Sequence, residues 1–426
     1  MKITTDQIQE FNKTLEGQHE TSLRCLRDKL EASGVDSEDL INKLVDLQIA
    51  IPSWALGTGG TRFGRFPSGG EPSVLEDKIE DIGLLHALNR SSGAISLHIP
   101  WDIPKDPGAI MELAASMDIK FDAVNSNTFQ DQPDQKLSYK YGSLSHTDAA
   151  VREQAIAHNI EVIRYGDQLG SKALTVWLAD GACFPGHMNF KKAIENTQDS
   201  LADIYAAMPD DWKMLIEYKP FEPAFYTTVI QDWGTSFNLA RKLGEKAYTL
   251  VDLGHHLPNA NIEQIVAILI KEGKLGGFHF NDSKYADDDI TVGSLKPYQL
   301  FLIFSELVEG LHYMDQPGEY AWMIDASHNV KDPLEDLLQS VEAIKIAYAQ
   351  ALIINRKKLW EYQENNDVTY AQEILQDAFR TDVRPLLAEA RRRSGAAINP
   401  LGLYRKLDVR KKLIADRGSQ SKSTGL

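Results

Sequence analysis

Short apolar, β-branched runs alternate with amphipathic stretches of helical period from about residue 47 to residue 327. This alternation is typical of repeated β-α units, in which each helix returns the chain to a parallel sheet. Eight runs predict strands, at residues 48–53, 94–100, 121–125, 173–178, 214–218, 248–253, 276–281 and 321–325. Eight parallel strands are the number that closes a barrel. We therefore predict an α/β fold, a (β/α)8 TIM barrel, with a doubly wound open sheet as the alternative.

Helical stretches lie between the predicted strands, at residues 75–88, 108–117, 147–169, 190–208, 229–243, 262–272 and 297–308. The third shows the clearest start. Ser145 or Thr147 can accept a hydrogen bond from the first free N–H groups, and Asp148 is favourable near the positive end of the helix dipole.

Helical segments are predicted on both sides of the barrel. We divide the chain into an N-terminal helical segment at residues 1–46, the catalytic barrel at 47–333, and a C-terminal helical arm and tail at 334–426. Such an arm is longer than a single barrel needs. We expect it to pack over a neighbouring subunit, and a cap on its own barrel is the alternative.

The acidic balance of the chain limits its partners. With 45 Lys and Arg against 61 Asp and Glu, the formal net charge is -16, so the surface should repel nucleic acid and anionic lipid. The first residues have no apolar signal-peptide core, and no segment offers the ~20 apolar residues that a membrane span needs. We expect a cytoplasmic protein that binds neither nucleic acid nor membrane.

Acidic and imidazole side chains lie at the carboxyl ends of the later predicted strands. They are Glu217, Asp252, His255, His279, Asp287, Asp289 and Asp325. In a barrel these ends gather on one face, where functional side chains converge. Carboxylate oxygens with a minority of imidazoles and no thiolate suit divalent cations such as Mn²⁺, Mg²⁺ or Co²⁺. The sequence therefore predicts an enzyme with a metal site.

Spacing predicts how some of these side chains are directed. Glu217 and Lys219 are two residues apart, so both can point into the barrel mouth, although an ordinary interior ion pair is the alternative. His255 and His256 are adjacent and should diverge, so at most one binds metal. In the run 287–289 we expect the first and third aspartates to be ligands and the middle one to point away, with a solvated acidic turn as the alternative.

Several motifs carry a resemblance to a known family. They are PSWALGTGGTRF (52–63), SLHIPWD (96–102), YKYGSLSHT (139–147), VDLGHH (251–256), GGFHFNDSKYADDD (276–289) and MIDASHN (323–329). Together they resemble L-rhamnose isomerase of the broad-specificity bacterial type, which belongs to the xylose-isomerase-like barrels. The similarity runs from roughly residue 40 to residue 400.

The resemblance implies two divalent ions, with Mn²⁺ favoured and Co²⁺ or Mg²⁺ as alternatives. Carried over by position, Glu217, Asp252, His279 and Asp325 would hold one ion, and His255, Asp287 and Asp289 the other, with Asp252 able to bridge. Lys219 matches the lysine that hydrogen-bonds the substrate oxygen at C1, and His98 the histidine near the ring-oxygen end of the sugar. A homotetramer is also implied, in which Phe63 closes over a neighbouring subunit's site.

The expected reaction interconverts L-rhamnose and L-rhamnulose, with D-allose as a second substrate by resemblance. The ligand set favours a metal-assisted hydride shift over an enediol route. We expect Lys219 to steady O1 and Asp289 to position the water that shuttles the proton, whereas Asp325 is the base to consider if the enediol route applies.

The sugar substrate also needs apolar contacts. Trp54, Phe129 and Trp177 are predicted to contact its deoxy C6 methyl group, and Ser327 is a further candidate substrate contact. Three other functions remain open: a sugar epimerase, a metal-dependent abasic-site endonuclease, and a non-catalytic sugar-binding protein. The net charge of -16 argues against the nuclease.

Overall fold

The computed structural model describes residues 1–57, 66, 68–133, 135–182, 186–221, 226–284, 287–314, 318–326 and 330–420. Two of the predicted site residues, Phe63 and Ser327, lie outside these ranges. The strands are β1 (Ala50–Pro52), β2 (Ala94–Ile99), β3 (Lys120–Ser126), β4 (Ala173–Trp177), β5 (Gly181–Ala182), β6 (Lys213–Glu217), β7 (Thr227–Thr228), β8 (Ala247–Asp252), β9 (Leu275–Phe280) and β10 (Ala321–Ile324).

Eight of these strands close into a parallel barrel, in the order β1, β10, β9, β8, β6, β4, β3, β2. Closure is made at β1, where Ala50 pairs with Met323 of β10 on one side and with Ala94 of β2 on the other. The predicted (β/α)8 barrel is confirmed, and the open doubly wound sheet is wrong. The short strands β5 and β7, which the sequence pattern did not predict, pair antiparallel outside the barrel.

The helices are α1 (Thr5–Lys13), α2 (Glu16–Ala32), α3 (Ser37–Asp46), α4 (Leu75–Asn89), α5 (Pro107–Ala115), α6 (Ala149–Leu169), α7 (Phe190–Ala207), α8 (Trp233–Leu243), α9 (Ile262–Lys271), α10 (Pro297–His312), α11 (Pro333–Leu352), α12 (Arg356–Glu364), α13 (Val368–Arg380), α14 (Arg384–Arg393), α15 (Pro400–Lys406) and α16 (Val409–Arg417). None of the described helices is by itself long and apolar enough to span a membrane. Only α11 and α12 taken together, a pair bent by 65°, meet that test, and they do so by length and composition alone.

Asparagine or aspartate side chains fix the starts of several helices that follow barrel strands. Asp106 accepts from Ala109 N before α5, and Asp232 accepts from Thr235 N before α8, which therefore begins later than predicted. The predicted cap of α6 is wrong. The cap is Asp148 itself, which accepts from Ala150 N, whereas the Ser145 hydroxyl donates to Asp180 Oδ2 at 2.7 Å.

The barrel interior below the site is filled by a small apolar cluster. Ala50, Ala123, Leu215, Leu250 and Met323 are at most 1% exposed and pack together, separately from the larger core under the helices. Their strand neighbours face that larger core, as the two-residue alternation of a strand requires. This filled interior forms a floor, so a ligand can enter only above it.

The terminal helices pack on their own chain. His19 Nε2 of α2 lies 2.9 Å from Glu389 Oε2 of α14, and both side chains are buried. Arg417 of α16 pairs with Asp81 of α4 at 2.8 Å. These contacts match the alternative in which the C-terminal region caps its own barrel. Its packing on a neighbouring subunit, the homotetramer and the division into segments stay predictions.

Candidate metal centre

The carboxyl ends of neighbouring strands bring four of the predicted side chains together. They are Glu217 at the end of β6, Asp252 at the end of β8, His279 in β9 and Asp325 directly after β10. Each offers one ligand atom, and the four atoms lie within 4.8 Å of one another. His279 Nδ1 is 3.1 Å from Glu217 Oε1 and 3.8 Å from both Asp252 Oδ2 and Asp325 Oδ2. We call these residues the first ligand group.

A second ligand group consists of Asp252, His255 and Asp287, whose ligand atoms also lie within 4.8 Å of one another. His255 Nε2 is 3.9 Å from Asp252 Oδ2 and 3.3 Å from Asp287 Oδ1. Asp252 therefore belongs to both groups, and its Oδ2 faces both histidines.

Asp252 is held so that one oxygen is occupied and the other is available. Its Oδ1 accepts from Gly254 N at 2.7 Å and from Asn281 Nδ2 at 2.8 Å. Its Oδ2 is buried, and no hydrogen bond to it occurs within the part of the chain that the structure describes. A buried carboxylate oxygen without a donor is costly, and a cation would satisfy it. Together with the oxygen and imidazole donors, this oxygen fits a hard or borderline divalent ion.

Gly254 allows this crowded arrangement. A Cβ atom at this position would lie 3.1 Å from Asp287 Oδ1, 3.2 Å from Asn281 Oδ1 and 3.3 Å from Asp252 Oδ1. A side chain there would push apart the acids that the site brings together. The glycine of the VDLGHH motif is therefore explained by close approach.

His255 and His256 diverge, as their adjacency predicted. The ring of His256 turns to Tyr218, whose hydroxyl lies 2.6 Å from His256 Nε2. Burial lowers the pKa of His256 to about 3. Among the described residues, His255 is in a ligand group and His256 is not.

The loop after β9 carries Asp287 and Asp289. Its ends are joined by the backbone pair Asp282 and Ile290, with N···O distances of 2.9 and 3.0 Å. Asp287 and Asp289 line the pocket, while Asp288 is exposed and accepts from Lys284 N at 2.5 Å. The directions are those expected, but the reason is different, because the segment is no strand and Asp289 has a left-handed φ of 46°. Asp289 lies in neither ligand group among the residues described.

Lys219 is buried at the mouth and forms an ion pair with Asp287. Its Nζ also lies 4.9 Å from the centre of the Trp177 ring, within the range of a cation–π contact. The acid in this ion pair belongs to the loop after β9. The alternative drawn from the sequence, an ordinary interior ion pair, had Glu217 as the partner of Lys219.

Aromatic side chains line the pocket on the side of strands β1 to β4. His98 stacks on Trp101 with ring centres 4.1 Å apart and meets the edge of Trp54 at 5.5 Å. Phe129 meets Trp177 at 4.4 Å. We call these five rings the aromatic wall. Trp54 also donates from Nε1 to Asp325 Oδ1 at 2.8 Å, which ties the wall to the first ligand group.

Three pocket residues, Trp101, Asn125 and Ser126, escaped the sequence analysis, as did Asn281, which supports the site. Asn281 had a usable signal, because it follows His279 by two residues at the end of a strand and so shares its direction. Trp101 had a weaker one, its place in the motif SLHIPWD.

Burial and close charges set the protonation of the site. Burial raises the pKa of Asp252 to about 7. Burial acts against the charge on His255 and His279, but the carboxylates around each imidazole outweigh it and raise both pKa values to about 9. Against the effect of burial, Lys219 and His255 hold the pKa of Asp287 well below its usual range. Without a cation, protons therefore compensate part of the negative charge.

We predict that the apparent affinity for Mn²⁺ rises from pH 6 to pH 9 and then levels off. Cations bind ionised carboxylates and neutral imidazoles, so binding must displace the protons held by Asp252 below about pH 7 and by His255 and His279 below about pH 9. Calorimetric titration with Mn²⁺ at several pH values, each in two buffers of different ionisation enthalpy, measures the affinity and the protons released. An affinity that is flat over this range, with no proton release, would contradict the prediction.

Curated relatives of this chain are named as sugar isomerases. A probable sugar isomerase of Rhizobium meliloti (strain 1021) is 54% identical over 392 residues, covering 92% of this chain and 91% of the relative. A probable sugar isomerase of Mesorhizobium japonicum is 48% identical over 423 residues, covering 99% and 98%. The chain matches no protein-family model.

Among solved structures, that of an L-ribulose 3-epimerase shares the fold with a TM-score of 0.52 at 14% identity, covering 73% of this chain and 96% of the epimerase. The fold and the pocket define a (β/α)8 barrel protein with a buried cluster of acids and histidines that can hold a metal ion. The chain belongs to the family of the two probable sugar isomerases.

Proposed function

We propose that this protein is a metal-dependent isomerase that interconverts L-rhamnose and L-rhamnulose and also accepts related aldoses such as D-allose. The observation that carries this proposal is the shared carboxylate of Asp252 between two ligand groups, with the buried Lys219 beside them. Moving hydrogen between adjacent carbons of a sugar requires that charge on the two attached oxygens be stabilised. The pocket offers metal-ligand side chains and the Lys219 ammonium group for this purpose. The family of probable sugar isomerases agrees with the reaction class.

We assign one divalent ion to the first ligand group and a second to His255, Asp287 and Asp289, with Asp252 shared. Mn²⁺ is the preferred ion, and Co²⁺ or Mg²⁺ also match a donor set of carboxylates with few imidazoles. Among the described residues Asp289 lies in neither ligand group, so its role as a ligand of the second ion is part of this proposal. Its carboxylate is steadied by Asn281, whose Nδ2 is 3.2 Å from Asp289 Oδ1.

Bound divalent cations would polarise the C1 carbonyl and acidify the 2-hydroxyl of the sugar. The C2–H bond then breaks with its electron pair, which forms the new bond at C1, while the proton of O2 is transferred to O1. Lys219 donates a hydrogen bond to O1, where negative charge develops. Asp289 orients the water that carries the proton between the two oxygens. Both side chains approach from the carboxyl ends of β6 and β9, which leaves the other side of the sugar for the aromatic wall.

The aromatic wall provides the apolar surface that a 6-deoxy sugar needs. Phe129 and Trp177 would contact the C6 methyl group, and His98 would lie near the ring-oxygen end of the sugar. Burial and nearby positive charges lower the pKa of His98 to about 3, so its imidazole is neutral and can accept a hydrogen bond from a sugar hydroxyl. Contact with one methyl group discriminates by only about 1–3 kcal/mol, so related aldoses should also react.

Metal-stripped protein supplied with L-rhamnose tests the proposal. We expect no ketose without added metal and full recovery of L-rhamnulose formation with Mn²⁺. The product is identified by chromatography against L-rhamnulose and against 2- and 3-epimers. Epimer formation, or activity that does not depend on metal, would refute the proposed reaction.

We predict that deuterium at C2 of L-rhamnose stays in the product and appears at C1. A hydride that moves directly between the carbons does not exchange with water, whereas a base in an enediol route releases its proton to solvent. Mass spectrometry and NMR of the product in H₂O measure the retained label. Complete loss of the label to solvent would replace the hydride shift with base catalysis, for which Asp325 is the candidate base.

A further inference from the structure

We infer that the buried ion pair of Lys78 and Asp102 is a positioning device, which sets the aromatic wall at the correct distance from the first ligand group. Lys78 lies on α4, and Asp102 follows β2. Their side chains are 1% and 0% exposed, and Lys78 Nζ is 2.6 Å from Asp102 Oδ1. This inference rests on the proposed function, because it assigns these residues a role in sugar binding.

The Asp102 carboxylate and backbone contact three segments of the chain. One oxygen pairs with Lys78 of α4. The other, Oδ2, accepts from Ser53 Oγ at 2.5 Å and from the backbone N of His98 at 2.8 Å. The backbone of Asp102 also donates to His98 O at 2.9 Å. One carboxylate therefore ties the turn after β1, the end of β2 and a helix together.

Two of the segments tied by Asp102 carry rings of the aromatic wall, and a third ring lies beside Asp102 itself. Ser53 precedes Trp54, the bond from the His98 backbone N holds the residue that carries the His98 ring, and Trp101 precedes Asp102. The His98 ring contacts the other two, with ring centres 5.5 Å apart for Trp54 and 4.1 Å apart for Trp101. Since Trp54 also donates to Asp325, the connection continues from Lys78 to a residue of the first ligand group.

Because Lys78 and Asp102 are charged and buried, we assign this ion pair a role in positioning the aromatic wall and not only in stabilising the fold. A fully buried ion pair gains little over two apolar residues of similar volume, because both charges lose their hydration. Lys78 and Asp102 touch no ligand atom in the described part of the chain, yet they fill a position that Met and Leu could pack. What an apolar pair cannot supply is the set of directed bonds to Ser53 and to the His98 backbone.

The test is the double variant Lys78→Met with Asp102→Leu, which removes both charges and keeps an apolar core. We expect it to fold, with KM for L-rhamnose raised about tenfold or more, kcat changed less than KM, and Mn²⁺ affinity within about twofold of the wild type. Near-UV circular dichroism should change because Trp54 and Trp101 move. The milder Ser53→Ala, which removes one bond to Asp102, should raise KM about two- to fivefold and is the variant to use if the double variant does not fold.

The matched control is Asp81→Asn on the same helix, α4. It weakens the buried pair with Arg417 of α16, which lies away from the pocket, so thermal stability should fall while KM stays within about twofold. A folded double variant with wild-type KM and a wild-type near-UV spectrum would overturn the positioning role, as would an equal rise of KM in Asp81→Asn. The near-UV spectrum and the Mn²⁺ affinity are measured without substrate, so they test the positioning role even if L-rhamnose is not the substrate. Absence of L-rhamnose turnover in the wild type would therefore refute only the proposed function.

Discussion

Replacing Asp252 by asparagine is expected to reduce turnover of L-rhamnose by at least about a thousandfold. The Asp252 carboxylate is shared by both ligand groups, and its unsatisfied Oδ2 lies within 4 Å of the two histidines. An amide in its place has no charge and presents either a weaker oxygen donor or an N–H group to a cation. Loss of several kcal/mol of charge stabilisation corresponds to roughly this factor in rate. Metal content by mass spectrometry and kcat at saturating sugar measure the effect.

The control for this variant is Asp288→Asn, which changes an exposed acid of the loop that carries Asp287 and Asp289. Its metal content and kcat should stay within about twofold of the wild type, because the Asp288 side chain is exposed and an asparagine oxygen can still accept from Lys284 N. An Asp252→Asn protein that binds two equivalents of Mn²⁺ and turns over at a tenth of the wild-type rate or faster would contradict the shared-ligand assignment.

The second large effect is expected for Lys219→Met, which should lower kcat about 100- to 1000-fold while the protein still binds metal. The methionine side chain is of similar length but cannot donate to O1, where charge develops during the reaction. Asp287, which also lies 3.3 Å from His255 Nε2, remains available as a ligand, so loss of activity should not come from loss of metal. Steady-state kinetics with Mn²⁺ in excess, together with metal content, separate the two causes.

Lys213→Met is the matched control, since Lys213 begins the same strand, β6, and its Nζ lies on the far side from the pocket, 3.3 Å from Glu319. This variant should keep its kcat within about twofold, as expected for an exposed ion pair. If Lys219→Met instead retains a third of the wild-type kcat, the lysine has no part in the chemical step and serves only to hold Asp287.

The alternation of apolar and amphipathic segments was sufficient to predict the barrel, because each β-α unit carries its own pattern and eight parallel strands have few ways to pack. The same pattern located the first ligand group, since a residue at the carboxyl end of a barrel strand has its direction set by the strand. Structure that depends on contacts between distant segments was not predictable in this way. The pairing of β5 with β7 involves two residues in each strand, too few for a periodic signal.

Local competition explains the errors in detail. Ser145 was a reasonable cap for α6, but its hydroxyl donates to Asp180, which is distant in sequence, and Asp148 accepts from the helix N–H in the cap position. The direction of Asp289 depends on a left-handed backbone in a loop closed by Asp282 and Ile290, which no alternation rule contains. Trp54 was predicted as an apolar contact, and its hydrogen bond to Asp325 became visible only once β1 and β10 were seen to be neighbours.

The interlocked ends of the chain affect the order of events during biosynthesis. Helix α2 buries His19 against Glu389, 370 residues later, and Asn12 donates to Ala396 O at 2.9 Å. Helices α1 and α2 therefore cannot complete their docking until α14 has been synthesised, while the barrel between them forms. Their apolar faces stay exposed during that time, which gives chaperones a long opportunity to bind at α1 and α2.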